Sequence, residues 1–187
     1  MDPTSGALTA LATATYPVDG NPKDLTIDPA GTHLYVPLTN GSAAGAVDAF
    51  TIGADGSLTK VTGSPWAVGI GPRFVTVDPT GRFAYVASAG TAGTGIYAFS
   101  IDATSGALTA IVGSPFDAVT PGTEPQFVTV DPSGKFAYAA NEGTGTVSGF
   151  TIDQTTGALT AVPNSPYTVG AQPIFVSISP EAPGIRD

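Results

Sequence analysis

The sequence predicts an all-β fold built from repeated four-stranded antiparallel units, and three observations carry that prediction. The first is outright repetition. "FVTVDPTGRFAYVA" (74–87) returns as "FVTVDPSGKFAYAA" (127–140) with only mild changes. The second is a pair of ladders with a period near fifty residues. One sets Gly6, Gly56, Gly106 and Gly157 at the head of "GALTA"-like runs; the other sets Asp28, Asp78, Asp131 and Ser179 after apolar runs. A fixed period of this length signals a repeat architecture. The third is composition: 24 Gly and 17 Pro, 42% hydrophobic and 11% charged residues. That mixture suits many short strands joined by turns and lacks the high charge of a disordered chain. No segment holds a helical period over ten residues.

The elements follow in chain order. "ALTAL" at 7–11 reads as a lone outer strand. Three complete units follow at about 22–61, 72–112 and 125–162, and a lone inner strand at 173–179 ends the pattern. The third unit shows the grammar. "QFVTVDP" is its first strand, and Asp-Pro-Ser-Gly is type I turn chemistry, with Asp first, Pro second and Gly last. "KFAYAAN" is the second strand, "GTVSGFTID" the third and "GALTAV" the fourth. Aromatic and β-branched residues fill these runs. Strands such as "FAYVA" are apolar on both faces, which suits a sheet packed between two neighbours.

Four-stranded units stacked face to face around an axis make a β-propeller. "DPSGKFAYAANEGTGTVSGFTIDQTTGALT" resembles the blade repeat of lactonase-type seven-bladed propellers, the 6-phosphogluconolactonase family. The resemblance runs from Ser5 to Pro180. It implies the propeller fold, with His, Arg and Glu side chains at the channel mouth in the family's hydrolases and cyclising enzymes. This chain has no histidine in the corresponding loops.

About 3.5 blades per chain do not close a ring, because propellers use about four to eight. An open arc exposes blade faces and strand edges, which are association surfaces. The chain reads as a segment of a longer propeller or as a short chain derived from one; if it is a stable folded protein on its own, self-association is expected to complete the ring, as a homodimer most simply or as a higher oligomer.

Positions that match across blades are scaffold, so candidate site residues are those that differ. The residue after the loop proline reads Lys23, Arg73, Gln126 and Ile174, and it is expected at the channel mouth. Arg73 suits bidentate binding of a carboxylate or phosphate. Glu124 or Glu142 suits a general base. Lys23, Asp24, Gln126, Asn40 and Asn141 complete the candidate ligand-binding set; as exposed loop residues, all of these also have an ordinary solvated reading. The only histidine, His33, aligns with Phe83 and Phe136 and reads as structural. Asp28, Asp78 and Asp131 replace one another and belong to turns. Trp66, Phe116 and Tyr167 follow successive Ser-Pro pairs, and their recurrence argues for packing between blades. Asn40 also opens an Asn-Gly-Ser sequon, which is equally an ordinary turn.

Several function classes are disfavoured. Fifteen acids against six scattered bases give a net charge of -9, the wrong balance for nucleic acid or an anionic membrane. No apolar run reaches eighteen residues, and cysteine is absent, which removes disulfides and thiolate sites. No metal or cofactor is expected. "MDPTSGALTA" does not read as a signal peptide, so a soluble protein is expected, cytoplasmic or exported with its targeting segment outside this sequence. Two functions are carried forward. The first is a non-catalytic module binding a small molecule or protein; the alternative is hydrolysis of a sugar lactone or other ester by a carboxylate-activated water.

Overall fold

A computed structural model describes residues 15–90, 94–116 and 124–178. It contains three antiparallel sheets, each a meander of successive strands. In the first blade, β1 (Asn21–Pro22) and β2 (Thr26–Ile27) pair with β3 (His33–Asn40), followed by β4 (Ala43–Ile52), β5 (Leu58–Lys60) and β6 (Trp66–Ile70). The second blade is β7 (Pro72–Val77), β8 (Phe83–Ser88), β9 (Gly95–Ile101) and β10 (Leu108–Ala110). The third is β11 (Pro125–Val130), β12 (Phe136–Asn141), β13 (Thr146–Ile152) and β14 (Leu159–Ala161), with β15 (Tyr167–Thr168) also on β13. The first sheet continues through β6 beyond the expected end at 61, and the third through β15 beyond 162. The strand expected at 7–11 lies outside the described residues. Residues 173–178, expected as an inner strand, form none. A strand needs a ladder partner, and no second strand of that unit stands beside them among the described residues. Phe175 nonetheless takes the place of an inner-strand aromatic, its ring centroid 4.4 Å from that of Phe127.

The two-faced apolar strands do what their pattern requires. Tyr35, Val47 and Ala49 of the first blade pack with Val75, Ala84, Val86, Phe99 and Leu108 of the second. Phe83, Tyr85, Ile96 and Ala98, on the other face of the second blade, pack with Val128, Ala139, Phe150 and Leu159 of the third. All six residues of β8 are buried, as expected of a central sheet. Each large side chain so buried contributes about 1.5–3 kcal/mol. The first strands of neighbouring blades approach one another, with Phe74 and Phe127 ring centroids 4.0 Å apart, and so mark the inner edge of the arc.

The two ladders meet at each blade junction. The Tyr35 hydroxyl donates to the Gly106 carbonyl at 3.0 Å, and the Tyr85 hydroxyl to the Gly157 carbonyl at 2.9 Å. A Cβ on Gly106 would lie 2.3 Å from the His33 ring, and one on Gly157 would lie 2.4 Å from the Phe83 ring. The aromatic that opens the second strand therefore needs a glycine in the next blade. The aspartate ladder closes turns. Asp78 Oδ1 accepts the N–H groups of Arg82 and Phe83, both at 2.8 Å, and Asp131 treats Lys135 and Phe136 alike.

The outer edge was only half legible in the sequence. After β5 the chain turns at a cis Ser-Pro peptide and returns as β6, so the outer strand comes in two pieces along β4. The break leaves one β4 N–H without a ladder partner. Ser64 Oγ accepts it from Ala49 at 2.9 Å, as Ser114 does for Ala98 and Ser165 for Gly149. Trp66 and Phe116 pack against the two junction cores, as their recurrence suggested. Tyr167 has no such cover and is exposed.

Candidate functional site

Three segments converge at one end of the third blade. Glu124 leads into β11, the turn 142–145 joins β12 to β13, and residues 168–172 run on from the end of β15. Backbone bonds tie them together: Glu142 N–H donates to the Glu124 carbonyl at 3.2 Å, and Val169 N–H to the Gly145 carbonyl at 3.1 Å. Gly145 has φ of 65°, and a Cβ there would stand 2.5 Å from the Gly170 oxygen, so glycine permits the close approach. Between the segments lies an open cleft of about 480 Å³. Glu124, Glu142, Thr144, Thr168 and Gln172 line it, with the backbone of Gly143, Gly145 and Gly170. Among the described residues, no lysine or arginine lines it.

Two of these side chains are placed by unusual backbone. Glu124 has φ of 48° and Gln172 of 56°, while the matching position of the second blade is Gly71 at 67°. A non-glycine residue held there costs about 1–3 kcal/mol, and such strain clusters at functional sites. Among the described residues, the second blade carries no comparable polar side chains at this end. Its matching positions are Gly71, Ala89 and Gly90, closed by bonds from Ala89 N–H to Gly71 O and from Gly90 N–H to Ile70 O. Nothing in composition marked Glu124 and Gln172 as strained. Comparing the residue before each loop proline, Asn21, Gly71, Glu124 and Gln172, would have singled them out.

The structure thus brings Glu124 and Glu142 together around one cleft. Asn141 is fully buried beneath it, donating from Nδ2 to Thr146 Oγ1 at 3.1 Å and to Ser148 Oγ at 2.8 Å. The Thr146 hydroxyl lies 2.9 Å from that of Thr144, so Asn141 reaches the cleft only through hydroxyls and acts to position it. Arg73 and Gln126 fall at matching irregularities, where the ladder skips from Pro72 to Phe74 and from Pro125 to Phe127. A bulge re-aims its side chain. Arg73 is exposed, and neither residue lines the cleft. Lys23 and Asp24 belong to the first blade, as does Asn40 at the exposed β3–β4 turn, and none of the three lines it.

His33 is buried, its Nδ1 3.1 Å from Asp28 Oδ2. Burial opposes ionisation of Asp28, but bonds from the His33 and Thr32 backbones and the Thr32 hydroxyl outweigh it, holding the carboxyl below its ordinary range. One charged group escaped sequence reading. Asp48 is fully buried in β4, accepting from Ser64 Oγ at 2.9 Å and Asp19 N–H at 3.0 Å and pairing with Lys60 Nζ at 2.8 Å. Lys60 also bonds Asp19. This cluster fastens the entering chain to the first blade. Among the described residues, no three His, Cys, Asp or Glu side chains are grouped to hold a metal ion, and no helix is long and apolar enough to cross a membrane.

Residues 1–92 and 84–185 each match the family described as Lactonase, 7-bladed beta-propeller. No curated protein matches the chain. Among solved structures, a candidate 6-phosphogluconolactonase of Bacteroides fragilis is 25% identical, with a TM-score of 0.69 over 82% of this chain and 40% of that one. A second candidate 6-phosphogluconolactonase, from Bacteroides uniformis, is 21% identical, with a TM-score of 0.71 over 86% and 44%. The periplasmic gluconolactonase of Pseudomonas aeruginosa is 23% identical, with a TM-score of 0.67 over 83% and 42%. The chain therefore spans less than half the length of each.

Proposed function

Because the chain belongs to the lactonase family of seven-bladed β-propellers, we propose that it is a ligand-binding propeller segment whose site is the acidic cleft of the third blade. The observation that carries this reading is the lining: two glutamates, a glutamine and two threonines, with no basic side chain among the described residues. Such a rim accepts hydrogen bonds from hydroxyls and favours a neutral, hydroxyl-rich molecule. It disfavours a phosphorylated one, since each pair of like unit charges at about 4 Å costs about 1 kcal/mol even in water. Among the substrates named for the solved relatives, an unphosphorylated sugar lactone suits the cleft better than a phosphogluconolactone.

The test is titration of the chain with gluconolactone, glucose and 6-phosphogluconolactone, followed by NMR at the amides of Gly143, Gly145 and Gly170. The neutral sugars should shift these signals and the phosphorylated one should not. Glu142→Gln or Glu124→Gln should weaken binding about tenfold or more, the scale of a hydrogen bond to a charged group. Equal binding of the phosphorylated sugar, or indifference to both substitutions, would remove the proposal.

A second reading, lactone or ester hydrolysis with one glutamate as general base, is favoured by the meeting of two carboxylates in one cleft. It requires turnover above the rate in water and a loss of about 100-fold or more in Glu142→Gln or Glu124→Gln. Binding without turnover leaves the first reading alone.

A further inference from the structure

The β12–β13 hairpin carries a buried hydrogen-bond chain that ends in the cleft. Asn141 is fully buried at the end of β12. Its Nδ2 donates to Thr146 Oγ1 at 3.1 Å and to Ser148 Oγ at 2.8 Å, and its Oδ1 has no partner among the described residues. Thr146 is buried as well. A buried hydroxyl needs an acceptor for its own proton. Having accepted from the amide, the Thr146 hydroxyl finds that acceptor in Thr144 Oγ1, 2.9 Å away. The proton of Thr144 is then left for the cleft, which this exposed side chain lines. The chain runs one way because it starts at an amide nitrogen, which only donates. Asn141 and Thr146 are cross-strand partners, and the matching pairs are Leu38 with Ala46 in the first blade and Ser88 with Gly95 in the second. Neither of those pairs has the groups to build it.

We propose that Thr144 is the residue by which the cleft recognises a carbonyl oxygen, and that Asn141 is the positioning residue that fixes its polarity from beneath. This deepens the cleft reading and rests on it. The carboxylates of Glu124 and Glu142 only accept hydrogen bonds, so they suit hydroxyls and repel a carbonyl oxygen. Thr168 and Gln172 can donate, but among the described residues no hydrogen bond fixes the direction of either side chain. Thr144 is the rim donor whose direction is set from within the fold. A hydroxylated ring ester presents both kinds of group, hydroxyls for the glutamates and one carbonyl for Thr144. The same ring without its carbonyl satisfies the glutamates and leaves Thr144 without that acceptor, a distinction that the acidic lining alone does not make.

Calorimetric titration at neutral pH with freshly dissolved gluconolactone and with anhydroglucitol tests the inference, because the second has the same ring and hydroxyls with a methylene in place of the carbonyl. The lactone should bind about 2- to 10-fold more tightly, the range of a single neutral hydrogen bond. Thr144→Val should bring the two affinities together, and Thr144→Ser, which keeps the hydroxyl, should preserve the preference. Asn141→Asp should remove it as well. A carboxylate there accepts from Thr146, turns the chain round and leaves Thr144 facing the cleft with lone pairs. Circular dichroism should show the parent fold in each variant; Thr144 is exposed, so its substitutions carry the test even where Asn141→Asp does not fold. Equal affinities in the parent chain, or a lactone preference that survives Thr144→Val while binding still depends on Glu142, would overturn the inference and leave the cleft reading standing. Binding of neither ligand would remove both.

Discussion

Gly157→Ala isolates the force that fixes the spacing between blades. Two separate penalties apply at this position. Its φ is +74°, where a side chain meets the following carbonyl, at a cost of about 1–2 kcal/mol. The new Cβ would also stand 2.4 Å from Phe83 Cδ1 and 2.7 Å from Ile111 Cδ1. Both belong to the core between the second and third blades, and crowding of that kind costs about 1–3 kcal/mol. The sum is about 2–5 kcal/mol. Gly134→Ala is the matched control: its φ is +71°, but the nearest atom to its Cβ is Pro79 Cδ at 3.8 Å, so it carries the first penalty alone. In a chain of this size each kcal/mol moves Tm by about 2–4 °C. Thermal unfolding and urea titration of both variants should therefore show Gly157→Ala losing about twice as much as Gly134→Ala, or more. Equal losses would refute the steric account of the glycine ladder and leave backbone conformation as its sole cause.

Three further outcomes are expected. Tyr85→Phe should cost about 1–3 kcal/mol in urea unfolding because the buried Gly157 carbonyl loses its donor, whereas Tyr138→Phe, whose hydroxyl meets no acceptor among the described residues, should cost almost nothing. Lys60→Met should cost about 1–2 kcal/mol, well below the 3–5 kcal/mol typical of a fully buried broken pair, because Lys60 is partly exposed and Asp48 keeps its bonds from Ser64 and Asp19; a neutral result would show that those two bonds suffice. For pH, burial works against ionisation of Asp28 and Asp131, yet hydrogen bonds lower both below the ordinary value of 3.8, and bonds from Ser105 lower Asp102 likewise. A depressed folded-state value stabilises above the unfolded one and is lost as pH falls through the folded one. The urea midpoint should thus hold between about pH 5 and 7 and fall below about pH 4, and a midpoint unchanged at pH 3 would contradict it.

The fold was legible because each blade repeats its grammar. Asp-Pro-x-Gly turns, aromatic-alanine strands and glycine-led outer strands each name an element, and the sheets appear where those words stand. The returning strand β6 escaped notice because "WAVGI" has no turn of its own and pairs with a strand already assigned a neighbour. Asp48 escaped because a single acid in an apolar run says nothing about the lysine and serine that will face it. The cleft was half legible. Glu124 and Glu142 differ from their counterparts and were singled out, but the backbone that brings them together, a positive φ at a glutamate, is a tertiary outcome. Arg73 illustrates the reverse case: the most chemically expressive residue beside the repeated stretch lies on a bulge outside the cleft.

The tyrosine-to-glycine junctions have a thermodynamic consequence. Each blade is latched only to its immediate neighbours, so the molecule behaves as a short one-dimensional chain of coupled units, in which a unit's resistance to opening depends on how many junctions it holds. The second blade holds two, and the third holds one among the described residues. Amide hydrogen exchange should record this as a gradient, with β8 most protected and β12 and β13 opening at lower free energy.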